Sequence, residues 1–158
     1  KDKVTSATEE YSEMIINGFY SIYPGAKKYL TWRENNVLRD NTLRTLSGRL
    51  VVLDFDRKDR KSVGAAQRAA KNFPIQGTSA DITKLAMTNV HKALVKNFDN
   101  AWVVNSIHDE LAVEHDEKDS EEIKQIVDRE MVVAGQHFLK NVKVEADGKV
   151  CDSWGDKA

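Results

Sequence analysis

Three consecutive ionisable residues, His108-Asp109-Glu110, stand between two apolar runs, Trp102-Val103-Val104 and Leu111-Ala112-Val113. Three such side chains in a row cannot all be buried. They are therefore expected at or near a hairpin turn whose buried strands are the flanking runs. The chemistry open to them is metal chemistry. Adjacent carboxylates offer the hard oxygen ligands that Mg²⁺ accepts, and paired strands hold them on a fixed backbone. Taken alone, the tripeptide is a weak signal and reads first as an ordinary solvated turn. A second polar group lies upstream. Arg68 and Asn72 are four residues apart, so a helix puts them on one face, and Gln76 lies shortly beyond, past Pro74. Ordinary surface charge for Arg68, with Asn72 and Gln76 capping a helix or lining a loop, is the other reading of that group.

The elements that must carry these residues follow from periodicity and punctuation. A first helix is expected from Thr5, capped by Thr5 or Ser6, with Glu9 and Glu10 in its first turn. Tyr11, Met14, Ile15, Phe19 and Ile22 give it one apolar face, and Pro24-Gly25 breaks it. A second helix is expected over 26–39. Alternation over 42–46 and 49–55, separated by Ser47-Gly48, predicts a hairpin. A third helix, capped by Ser62, should stop near Asn72, because Pro74 restricts the residue before it to extended geometry. Thr78 with Asp81 three residues on then resembles a capping box opening a further helix over 79–95. After the His-Asp-Glu hairpin, residues 117–138 read as an amphipathic helix, and 142–146 alternate as a strand. The expected fold class is α+β, a small antiparallel sheet covered by several helices.

Bulk composition bounds the function classes. The chain has 158 residues, 41% hydrophobic and 31% charged, which suits one soluble domain with a real core. No apolar run reaches about 18 residues, so no membrane-spanning helix is expected. One cysteine, Cys151, leaves no internal disulfide, and a reducing compartment is the simpler setting. The net charge of −1 is awkward for a self-sufficient nucleic-acid binder. Local groups or another chain would have to supply the positive field.

The run Asn72-Phe73-Pro74-Ile75-Gln76-Gly77-Thr78-Ser79-Ala80-Asp81-Ile82, a helix, and then the His108-Asp109-Glu110 hairpin resemble the C-terminal palm of family A DNA polymerases, the bacterial polymerase I type. The resemblance extends from about Val4 to Trp154. It implies that residues 1–158 form one palm subdomain, and that Asp109 is a ligand to the catalytic metal with Glu110 a weaker contributor. His108 would lie beside the primer terminus. The implied cofactor is Mg²⁺, as two ions shared with residues outside the chain and about 3.5–4 Å apart. The face bearing Arg68, Asn72 and Gln76 would meet the minor groove at the primer end. Acceptors there occupy similar positions in every base pair, so such donors test pair geometry rather than sequence. Gly48-Arg49 resembles a family segment that continues with basic residues, and the chain departs from it at the apolar Leu50-Val51-Val52.

The family's first palm motif and its nucleotide-holding fingers helix have no counterpart in the sequence. There is no Asp-Tyr-Ser run, and no Lys is followed by Tyr-Gly. The expected partners are DNA primer-template, deoxynucleoside triphosphates and a second polymerase chain carrying those parts, with no membrane. Lys1 is not the nucleophile with which an intein's downstream fragment begins, so a divided gene or a processed chain is the expected origin. The expected location is the cytoplasm of a bacterium or phage-infected host, with an organelle also compatible. Two other readings stay open. A non-catalytic scaffold derived from a palm would keep the hairpin without using it. A metal-dependent nuclease would need a second acidic cluster, for which Glu114, Asp116 and Glu117 lie beyond the return strand.

Overall fold

The computed structural model of the chain describes residues 8–157. Helix α1 spans Glu9–Ile22 and is capped by Thr8, whose hydroxyl accepts from the Tyr11 amide at 3.2 Å. The expected caps Thr5 and Ser6 lie outside the described residues. Helix α2 spans Pro24–Asp40, so Pro24 opens this helix as well as ending the one before it. Asn41 closes α2 in the left-handed conformation at φ 55°. Strands β1 (Thr42–Arg44) and β2 (Leu50–Val52) pair as the predicted first hairpin, shorter at both ends than the alternation suggested.

Helix α3 runs over Arg60–Asn97 with Pro74 inside it. This corrects the expected break between two helices. A proline there removes one backbone hydrogen bond and crowds the preceding turn, at about 3 kcal/mol. Side chains offset part of that. The Thr78 hydroxyl donates to the Pro74 carbonyl and accepts the Leu46 amide at 3.0 Å. Thr78 is thus a buried interior residue of α3 and not an N-cap, and the capping-box reading of Asp81 falls with it.

Strands β3 (Ala101–Ile107) and β4 (Glu110–His115) form the second hairpin, with Ala101 opposite His115 and Ile107 opposite Glu110. The register slips between Val103 and Asn105, leaving a bulge at Val104. Trp102 and Val104, expected inside, are 49% and 55% exposed, because alternate residues of β3 face away from the helices. A 3₁₀ turn at Glu117–Asp119 leads into helix α4, Ser120–Phe138. Residues 142–146 are not a strand. Instead, Gln136 of α4 donates to the Leu139 and Val142 carbonyls and accepts the Val144 amide, so one side chain takes the place of a strand partner.

The fold is α+β, as expected, and the described residues form four α-helices and two two-stranded antiparallel sheets. Two compact units divide it, one of residues up to 43 with 50–72, the other of 44–49 with 73 onward. The boundary cuts α3 just ahead of Pro74. The second unit holds the principal core, where Ala86, Val90 and Leu94 of α3 meet Ala101, Leu111, Ile123, Val127 and Ala134. No described helix is long and apolar enough to cross a membrane.

Candidate polymerase site

The turn between β3 and β4 consists of His108 and Asp109, both exposed, and Glu110 opens β4 half-buried. The hairpin stays rigid because Leu111 is buried in the core, with Val103 and Val113 packed against it. His108 sits at φ 52°, a conformation that few residues other than glycine adopt. Its carbonyl accepts the Thr83 hydroxyl at 3.3 Å, so α3 supports the turn from behind. Thr83 is 8% exposed, and its single hydroxyl proton is shared between this carbonyl and that of Ser79 at 3.1 Å. Nothing in the sequence singled out Thr83; its only signal is a spacing of four from Ser79.

A cleft of about 1070 Å³ opens beside this tip, lined by Ser79 and Thr83 of α3, Asp109 and Glu110, and the segment around Trp154. Asp109 makes no hydrogen bond or ion pair with any described residue. Among the described residues no group of three or more His, Cys, Asp or Glu is placed to hold a metal, so Asp109 and Glu110 stand as a pair.

The predicted DNA-facing residues are all exposed on α3. Arg68 and Asn72 belong to the first unit and Gln76 to the second. None of the three side chains bonds to a described residue. Lys71 beside them is different, because it pairs with Glu34 at 2.6 Å.

Arg49 also has a partner within the chain. Its Nε donates to Asp81 Oδ1 at 2.9 Å and its Nη2 to the Gly77 carbonyl at 3.0 Å, with the guanidinium 5.3 Å from the Phe73 ring centre. Ser47 donates to the other Asp81 oxygen at 2.6 Å. Burial alone would push the Asp81 carboxyl up. The hydrogen bonds from Ser47, Thr45 and Arg49 outweigh it and hold the group below the usual carboxylate range. The clasp needs Gly77, since a Cβ there would lie 2.7 Å from Thr45 Cγ2. Beyond a Gly-Arg pair in a turn, no residue pattern marks this clasp.

The sequence profile of DNA polymerase family A matches residues 2–156, nearly the whole chain. The chain is 38% identical over 120 residues to DNA polymerase I of Caldicellulosiruptor bescii, covering 73% of this chain and 14% of that protein. It is 41% identical over 85 residues to DNA polymerase I of Aquifex aeolicus, covering 54% of this chain and 15% of that protein. Among solved structures it is similar to the POL domain of Pol1 from M. smegmatis, in complex with DNA primer-template and dNTP. That similarity has a TM-score of 0.75 and 32% identity over 80% of this chain and 23% of the other. This chain belongs to DNA polymerase family A. It spans about one seventh of the length of the two bacterial relatives.

Proposed function

We propose that the chain is the palm segment of a DNA-directed DNA polymerase and that residues 1–158 act as one subdomain of it. The reading rests on one combination, the family match over 2–156 together with an unpaired Asp109 at the tip of an anchored hairpin. Asp109 holds a divalent ion and Glu110 contributes more weakly. The donors fit, because carboxylate oxygens are the hard ligands Mg²⁺ takes. Two such ions, when bound, supply Lewis-acid stabilisation of the transferring phosphoryl group and a more nucleophilic primer 3′-oxygen.

The chain's own residues do the rest by positioning. Arg68, Asn72 and Gln76 donate to minor-groove acceptors at the primer end, and His108 contacts the primer terminus. The other main carboxylate and the groups that hold the deoxynucleoside triphosphate come from a second polymerase chain. The protein works in the cytoplasm.

The test is primer extension with Mg²⁺ by the chain mixed with a polymerase half that supplies those parts. Asp109→Ala is expected to lower the rate by about 10²-fold or more, the scale of losing one preorganised electrostatic group. A folded Asp109→Ala variant that extends at the normal rate would leave only a scaffold role.

A further inference from the structure

The favoured turns for a two-residue hairpin loop are types I′ and II′. Here Ile107 pairs with Glu110, and His108-Asp109 are the central residues. His108 has φ 52°, whereas Asp109 is not among the described residues with positive φ. That sign pattern belongs to type II′, whose first central position glycine usually fills. Types I′ and II′ differ by a flip of the central peptide, which reverses the His108 carbonyl and the sign of φ at Asp109. The direction of the Asp109 side chain thus depends on which way that carbonyl points. The Thr83 hydroxyl reaches it at 3.3 Å from a nearly buried position, sharing its proton with the Ser79 carbonyl at 3.1 Å. Ala86 and Val90, on the following turns of α3, are fixed in the core.

We propose that Thr83 is a positioning residue that pins the 108–109 peptide and so aims Asp109 toward its cation. This rests on the reading of Asp109 given above. Thr83→Val keeps the shape and removes the donor, and Thr83→Ser keeps the donor. The first readout needs neither metal nor partner: the ¹³C′ resonance of His108 and the ¹⁵N resonance of Asp109 in the full chain. Thr83→Val is expected to shift both, and Thr83→Ser to leave both near their original positions. The second readout is the Mg²⁺ concentration for half-maximal extension by the reconstituted pair. Thr83→Val is expected to raise it about fivefold, the worth of one ordinary hydrogen bond, and Thr83→Ser to restore it.

Unchanged resonances and unchanged Mg²⁺ dependence in a folded Thr83→Val overturn the proposal. So does a Thr83→Ser as impaired as Thr83→Val. Should Thr83→Val not fold, Thr83→Ala removes the hydroxyl without apolar bulk, and the same readouts decide. An Asp109→Ala that extends normally would end the polymerase reading, while the resonances still judge the peptide lock separately.

Discussion

The Asp81 carboxylate is only 10% exposed and receives charge-assisted or hydroxyl hydrogen bonds on both oxygens. Its folded pKa lies below the ordinary value of about 3.9, so its stabilisation is complete above that pH and lost as pH falls through the lower folded value. Asp81→Asn should therefore cost about 1.5–3 kcal/mol at pH 7 in urea unfolding. The gap between wild type and variant should narrow as pH falls below the ordinary carboxylate range and close once it passes the lower folded value, where the carboxylate is protonated in both states. At this scale the sequence was partly legible. An acidic residue three positions after a threonine has the form of a capping box, and nothing in one dimension shows that a turn some thirty residues earlier folds back to claim the carboxylate. The His108-Asp109-Glu110 tip was legible because flanking apolar strands leave charged residues only one place to go.

Elements reveal a similar division. Alternation at Val142, Val144 and Ala146 has the period of a strand, and an extended segment docked by side chains has that period too. Strand or docked segment is decided by whether a partner edge exists, which the segment's own residues do not encode. Here Gln136 supplies the partner groups. Gly135 makes room for Val144, since a Cβ there would sit 2.6 Å from Val144 Cγ1. Gln136→Leu should leave α4 helical and loosen the segment it holds. Amide exchange across 139–144 is expected to speed up by about tenfold or more while the α4 amides keep their protection, because each lost bond is worth about 1 kcal/mol. Equal acceleration throughout α4 would mean the glutamine serves the helix and not the segment. Pro74 teaches the same lesson. Local propensity argued for two helices, and contacts from Leu46 and Thr78 keep one.

For the molecule as a whole, pattern and partner separate again. The α1 face was legible as amphipathic, yet Tyr11, Met14, Ile15, Phe19 and Ile22 are 49–71% exposed. Periodicity tells which residues want cover and not what provides it. Charge behaves likewise: the net value of −1 gives no long-range attraction for a polyanion, so binding must come from particular groups. The salt dependence of primer-template binding separates two kinds of group. Neutralising one phosphate contributes about −0.9 to the slope of log K against log salt. A donor to a base edge in the minor groove contributes affinity without that slope. Arg68→Ala in the reconstituted pair should weaken binding about tenfold at fixed salt, leave the slope unchanged, and do so equally for A·T and G·C primer ends, since their shared acceptors coincide. A slope shallower by about 0.9 would reassign Arg68 to the phosphate backbone. A loss confined to one base pair would make it a reader of sequence, contrary to a role in testing pair geometry alone.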